Sequence, residues 1–203
     1  PDLYIFGVGG TFKGYYPGYS NDTYEPENQF SWVVLKAHNQ SRGLVQLRSS
    51  DPRDTPLINF KYFGDPQSGQ MPSEEHMKDL DAVVKGIRLA RKATEQANSL
   101  LFATKFGRYE EVWPGSHVNT DEELREYAMN ESWGHHASST SKIGPASDPS
   151  AVLDSRFNVY GTKGLRVVDA SVFPKAPGFF PAVAIYMVSE KAADVIAEDA
   201  NLF

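Results

Sequence analysis

The sequence predicts an α+β fold in which an antiparallel sheet is backed by helices. Three runs rich in β-branched and aromatic residues, near 30–38, 44–48 and 57–62, have the composition and alternation of strands. A long segment that begins at Ser73 carries apolar residues at helical spacing. A last apolar run, followed by a helix from Pro181, predicts one further strand and helix of the α/β type.

The first two strand-like runs predict a hairpin. Residues 41–43 supply a turn between them, and the run at 57–62 would add a third strand to the same sheet. The preceding stretch, 7–29, is rich in Gly, Tyr, Asn and Pro and predicts an extended loop. Its early glycines lack the G-x-G-x-x-G spacing of a dinucleotide-binding loop, so we reject that interpretation.

Two further helix signals are local. Ser73 is a suitable N-cap because acidic residues occupy the first turn after it. The apolar stripe of this helix predicts core packing, and it consists of Met77, Leu80, Val83, Val84, Ile87 and Ala90. Thr120 and Glu123 have the spacing of a capping box, which predicts a shorter helix that leads to Trp133.

The C-terminal part predicts a buried strand and a closing helix. Residues 165–168 are mostly apolar and lead to Asp169, a pattern typical of the buried centre of an α/β sheet. Proline suits the first position of a helix, so the last helix is expected to start near Pro181.

Composition excludes several classes of function. The formal net charge is -6 over 203 residues, which argues against nucleic acid or an anionic membrane as a partner. No apolar run approaches the roughly 20 residues that a membrane span needs. The chain has no cysteine, so disulfides, thiolate catalysis and cysteine-ligated metal sites are excluded, and we predict no metal site.

Three Asn-x-Ser/Thr triplets, at Asn21, Asn39 and Asn130, favour a secreted glycoprotein. The alternative is an intracellular protein in which the triplets are unused. The chain begins at Pro1 rather than Met, and we therefore expect a processed or excised piece of a longer protein.

The stretch 133–143 contains the only adjacent pair of histidines, His135 and His136. Small residues surround them, so backbone and a flat ligand could approach closely. A neutral imidazole can take a proton near neutral pH, because its unperturbed pKa is about 6.5. Consecutive residues of an extended segment point to opposite sides, so we expect only one ring to face a ligand. The alternative is a polar loop whose histidines are hydrogen-bonded and inert.

Two blocks of the sequence match one known family in order and motif. The first is the segment 41–52 with Pro56 and Ile58. The second comprises 136–140, 152–154, 159–161, 165–174 and the helix after Pro181. With these blocks, nearly the whole chain resembles the C-terminal portion of a glucose–methanol–choline (GMC) oxidoreductase, a family of FAD-dependent enzymes.

The resemblance implies two domain parts. Residues 1–131 would form an antiparallel-sheet substrate-binding domain, and 132–203 the active-site loop with the C-terminal strand and helix of an α/β FAD-binding domain. The implied partners are a small-molecule substrate and the N-terminal FAD-binding portion of the same protein, whose cofactor fingerprint this chain lacks.

The resemblance also implies site residues. His136 matches the family's catalytic histidine in the pattern His-x-x-Gly-Thr, with Ser139 at the glycine position. In the family this histidine takes the hydroxyl proton of an alcohol while a hydride passes to the flavin. His135 would orient the loop or act as a second partner. Cofactor contacts are implied for Asp169 and Ala170, and for Phe180, Pro181 and Ala182 at the start of the closing helix.

One departure bears directly on function. The family usually places a second His or Asn where this chain has Phe180, and a phenyl ring cannot hydrogen-bond a substrate hydroxyl. The first hypothesis is an FAD-dependent oxidoreductase that acts on an alcohol-type (CH–OH) or similar small substrate. The alternatives are a flavin-containing relative with non-redox lyase or cyclase chemistry, and an inactive isolated fragment.

Overall fold

The structure is a computed structural model that describes residues 2–23, 28–64, 72–99 and 107–201. Its internal contacts divide the chain into two compact units, Pro1–Trp133 and Gly134–Phe203. Within these described ranges, the first unit contains small antiparallel sheets and the longest helix, and the second is built from turns and one long helix. The predicted α+β class is therefore confirmed.

The first unit begins with a two-stranded antiparallel sheet. Strand β1 (Leu3–Gly9) pairs with β2 (Phe30–Lys36), and a second pair is formed by β3 (Leu44–Gln46) and β4 (Leu57–Asn59). A short helix, α1 (Tyr19–Thr23), lies between β1 and β2 in sequence.

The predicted arrangement of strands is wrong in two respects. The run at 30–38 does not form a hairpin with 44–48, and 57–62 does not join a common sheet with both of them. The physical reason is that β1 offers β2 seven cross-strand pairs, whereas β3 is only three residues long. The segment 7–29 is also not a loop throughout, because it contains the end of β1 and the helix α1.

The predicted long helix is present as α2 (Glu74–Ser99), and it backs the β1–β2 sheet rather than a sheet of the three predicted strands. Its N-cap is Ser73, whose hydroxyl accepts a hydrogen bond from the backbone N–H of His76 at 3.4 Å. Gly86 permits close packing on the sheet, since a Cβ atom there would lie 2.5 Å from Cγ1 of Val34. Leu80, Val84 and Ala90 of the predicted apolar stripe are buried.

One buried residue of α2 is charged. The side chain of Asp79 accepts a hydrogen bond from the backbone N–H of Gln40 at 2.7 Å and pairs with Nζ of Lys36 at 3.2 Å. The residue is only 3% exposed. Asp79 therefore joins α2 to the end of β2 and to the chain that follows it.

Helix α3 (Asp121–Glu131) packs on α2, and its predicted capping box is confirmed. Oγ1 of Thr120 accepts from the backbone N–H of Glu123 at 3.2 Å, and Oε2 of Glu123 accepts from the backbone N–H of Thr120 at 2.8 Å. Ala128 of α3 and Leu80 of α2 belong to one buried cluster.

The second unit has its own core, formed by Leu153, Phe157, Val172 and Ala192. A 3₁₀ turn (Ala170–Val172) precedes the long helix α4 (Ala182–Asp199). None of the described helices is long and apolar enough to cross a membrane.

The strand predicted at 165–168 is not formed. Arg166 makes an isolated antiparallel bridge with Asn158, and Leu165 is 51% exposed. A central strand of an α/β sheet needs neighbouring strands on both sides, and the described part of this unit contains none.

Candidate active-site loop

The two adjacent histidines lie in the segment that opens the second unit. Their ring centroids are 4.3 Å apart, with an interplanar angle of 68°. The rings therefore adjoin, and the expectation that they point to opposite sides is wrong. Residues 132–139 form no strand, so the regular alternation of side chains, on which that expectation depended, does not apply to them.

His136 also packs against Phe180. The ring centroids are 5.8 Å apart and the planes meet at 73°, which is an edge-to-face contact. Burial lowers the pKa of His136, and the charge of His135 lowers it further, while a hydrogen bond with the backbone of Phe179 opposes both. At neutral pH the imidazole of His136 is thus neutral and able to accept a proton.

Main-chain hydrogen bonds join this loop to the 3₁₀ turn. The backbone N–H groups of Ser139, Ser141 and Ile143 donate to the carbonyl oxygens of Ala170, Ser171 and Val172, at 3.3, 3.0 and 2.9 Å respectively. We call these three bonds the loop ladder. The ladder connects the histidine loop directly to Ala170, for which the resemblance implies a cofactor contact.

Ser139 has a left-handed backbone, with φ of +73°. This conformation favours glycine, and it costs other residues about 1 kcal/mol or more. Ser139 stands where the family's His-x-x-Gly-Thr pattern has glycine. The serine therefore adopts a backbone conformation that glycine would adopt without strain.

The predicted cofactor contacts Asp169 and Ala170 both have structural roles here. The carboxylate of Asp169 accepts from the backbone N–H of Ser171 at 2.7 Å and so caps the 3₁₀ turn. The carbonyl oxygen of Ala170 accepts from Ser139. Asp169 is nevertheless exposed, so its carboxylate is accessible to a ligand. Their contact with a cofactor stays a prediction.

The other predicted contacts lie at the start of α4. The helix begins at Ala182, and its N-cap, Pro181, makes no side-chain capping bond. The backbone N–H groups of the first turn therefore point out of the helix end without a side-chain acceptor. Phe180 is 53% exposed beside them. Outward N–H donors next to an apolar ring fit the edge of a flat, carbonyl-bearing cofactor such as the flavin of FAD.

Helix α4 exposes a large apolar face. Val183, Tyr186 and Met187 stand on one side of the helix and are exposed to 71, 73 and 70% respectively. Within the second unit, the buried helix residues are instead Ala192 and Val195. Several large apolar side chains exposed together on one face of a helix normally mark a contact surface. The assignment of 132–203 to a larger FAD-binding domain stays a prediction.

Sequence reasoning identified the imidazole of His136 and the start of α4 as parts of the candidate site, but it missed two contacts of His136. The backbone of Phe179 reaches His136, and a backbone group carries no signal in the sequence. The contact of Phe180 with His136 was also not expected, although the departure from the family pattern at Phe180 marked that position as unusual.

Comparisons with known proteins agree on one family. The family model of GMC oxidoreductase matches residues 39–189. A glucose methanol choline oxidoreductase (atC) of Aspergillus terreus is 38% identical over 186 residues, which are 90% of this chain and 27% of the relative. Choline oxidase of Arthrobacter globiformis is 37% identical over 171 residues, which are 84% of this chain and 29% of the relative.

A solved structure has the same fold. It is an FAD-dependent oxidoreductase from Chaetomium thermophilum with 26% sequence identity and a TM-score of 0.64, and the match covers 86% of this chain and 27% of that one. The chain thus spans little more than a quarter of the length of the proteins that it matches. The family model covers well over half of this chain, and the chain belongs to the GMC oxidoreductase family.

Proposed function

We propose that this chain is the C-terminal portion of an FAD-dependent oxidoreductase that oxidises the CH–OH group of a small alcohol-type substrate. Membership of the GMC oxidoreductase family supports redox chemistry in general. The observation that carries the finer proposal is the imidazole of His136, whose lowered pKa and position in the laddered loop suit a proton acceptor.

In this proposal the neutral imidazole of His136 accepts the proton of the substrate hydroxyl. General-base assistance needs a nitrogen-to-oxygen distance of about 2.6–3.2 Å and contributes typically 10²–10⁴-fold to the rate. When bound, FAD would supply the acceptor for the hydride of the carbinol carbon, so that the alcohol would be oxidised to a carbonyl compound. His135 adjoins His136 and helps to keep it neutral between turnovers.

Part of the cofactor site comes from this chain. The first-turn N–H groups of α4, from Ala182 onwards, would donate to the electron-rich edge of the flavin, and the positive end of the helix dipole would favour negative charge there. Phe180 and Pro181 would lie beside that edge, and Asp169 and Ala170 at the end of the 3₁₀ turn. The remaining contacts would come from the N-terminal FAD-binding portion of the same protein.

Phe180 also favours a second candidate, a flavin-containing enzyme with non-redox lyase or cyclase chemistry. The phenyl ring stands where the family pattern has a second hydrogen-bonding side chain, so the usual polar pair is incomplete. His136 would then act as a base without hydride transfer.

Anaerobic stopped-flow spectroscopy of the complete protein tests both candidates. Alcohol substrates should bleach the oxidised flavin, and His136→Ala should slow this reductive step by about 10² or more while FAD stays bound. His76→Ala is a matched control, because the ring of His76 is bonded locally to Ser73 at the start of α2, and it should leave the rate unchanged. Near-normal reduction in His136→Ala would remove this residue from the mechanism. Absence of bleaching by any alcohol would favour the non-redox candidate.

We also propose that the protein is secreted and glycosylated. The three candidate acceptor residues, Asn21, Asn39 and Asn130, are all exposed, which supports the accessibility of their amides. Endoglycosidase treatment of the native protein should increase its electrophoretic mobility, and an unchanged mobility would contradict the proposal.

A further inference from the structure

The ring of Phe180 offers a surface next to the proposed base. It contacts His136 edge-to-face at a centroid distance of 5.8 Å, yet 53% of the residue remains exposed. In the proposed cofactor site the backbone N–H groups at the start of α4 donate to the flavin and the phenyl ring lies beside the flavin edge, so the exposed part of that ring would border both the flavin and a bound substrate.

A hydroxyl that is bonded to His136 places its substituents near this ring. The hydroxyl oxygen must lie about 3 Å from an imidazole nitrogen, and the carbinol carbon is one further bond away. When the hydroxyl bonds on the side of the imidazole that faces Phe180, the ring-to-ring distance of 5.8 Å brings groups on the carbinol carbon within van der Waals reach of the phenyl ring. The side chain at position 180 therefore meets the part of the substrate next to the reacting bond.

We propose that Phe180 is a specificity-determining residue that selects alcohols with an aryl or other apolar group on the carbinol carbon. This inference rests on the proposed function of His136 as the hydroxyl acceptor. A phenyl ring has no hydrogen-bonding group, so it gains from burial of apolar surface and from edge-to-face contact with an aryl ring. A second hydroxyl on the substrate would lose its water and find no partner at this ring.

The inference is best tested by binding, with alcohols that cannot be oxidised. Tertiary alcohols lack a hydrogen on the carbinol carbon, so 2-phenylpropan-2-ol serves as the aryl probe and 2,3-dimethylbutane-2,3-diol as the diol probe. Their dissociation constants are measured on the complete FAD-loaded protein from the perturbation of flavin absorbance. The wild type should bind the aryl alcohol about tenfold or more tightly than the diol.

Two variants isolate the contribution of the ring. Phe180→Asn introduces a hydrogen-bonding side chain and should reduce the preference for the aryl probe about tenfold, whereas Phe180→Leu keeps an apolar surface and should change it less than about threefold. Flavin content is measured for both. A wild-type protein that binds the diol as tightly as the aryl alcohol overturns the inference, and so does an unchanged preference in Phe180→Asn.

A kinetic comparison separates this inference from the proposed function. Benzyl alcohol and glycerol are mixed with the oxidised protein without oxygen. Because benzyl alcohol has the more reactive carbinol C–H bond, the ratio of its bleaching rate to that of glycerol is compared between the wild type and Phe180→Asn. A lower ratio in the variant supports both proposals, and an unchanged ratio contradicts the role of Phe180. Failure of both alcohols to bleach the flavin, together with an intact binding preference for the aryl probe, refutes alcohol oxidation and supports the role of Phe180.

Discussion

The buried carboxylate of Asp79 allows a quantitative test of the first unit. Its replacement by Ala leaves the backbone N–H of Gln40 without its acceptor and deprives Lys36 of one of two carboxylate partners. Breaking a buried ion pair costs about 3–5 kcal/mol. Lys36 keeps Asp2 at 2.6 Å and the carbonyl oxygen of His38 at 2.7 Å, so the lower end, about 3 kcal/mol, is expected for Asp79→Ala.

A double-mutant cycle identifies the pairing itself. Lys36→Met should also destabilise the protein, because it leaves the carboxylate of Asp79 buried with only a backbone donor. The double variant should lose less than the sum of the two single losses, by about 1 kcal/mol or more. Urea unfolding measures each free energy, with Lys78→Ala as control, since its pair with Glu74 is exposed and should contribute less than about 0.5 kcal/mol.

Two results would refute this reasoning. One is a change in the free energy of unfolding below about 0.5 kcal/mol for Asp79→Ala, which is the range of ordinary surface substitutions. The other is strict additivity in the cycle, which would mean that Asp79 and Lys36 act independently despite their 3.2 Å separation.

Three further predictions concern the candidate site and the helix. The neutral ring of His136 is the proposed base and its pKa is lowered, so the flavin reduction rate should fall with decreasing pH through an inflection below about 6.5. His135→Asn should move this inflection upward, and an inflection at or above 6.5 in the wild type contradicts the assignment. Ser139→Gly should raise the free energy of unfolding by up to about 1 kcal/mol, since glycine adopts the observed φ without strain, and a loss of thermal stability would contradict this. Gly86→Ala should destabilise, because overpacking costs about 1–3 kcal/mol against a helix-propensity gain of about 1 kcal/mol. Adding Val34→Ala should restore thermal stability, because it removes the clashing Cγ1 atom.

Signals that depend on neighbours in sequence predicted the structure well. The capping box of Thr120 and Glu123 and the apolar stripe of α2 need only residues within one or two turns of a helix, and both are present. Strand pairing failed because it depends on distant partners: β2 pairs with β1, and only the last residues of β1, 7–9, fall in the segment predicted as a loop.

The features of the candidate site also divide into those that local sequence signals predict and those that depend on the folded backbone. His136 and the start of α4 could be recognised from residue types and from the resemblance, because both are local motifs. The adjacency of the two imidazoles could not, since it depends on the irregular backbone of residues 132–139, which form no strand. Burial of Asp79 was equally hidden, because its partners Lys36 and Gln40 lie far along the chain.

The loop ladder is built without side chains. All three of its bonds run from a backbone N–H to a backbone carbonyl oxygen, groups that every residue except proline carries in full. The bonds that hold the histidine loop therefore do not depend on side-chain chemistry, although the left-handed backbone at Ser139 and the buried side chain of Val172 restrict what can replace those two residues. Side chains around the imidazole can therefore be substituted while the imidazole keeps its position. Substitution of the neighbouring Phe180 is one way in which substrate preference can change without loss of the proposed base.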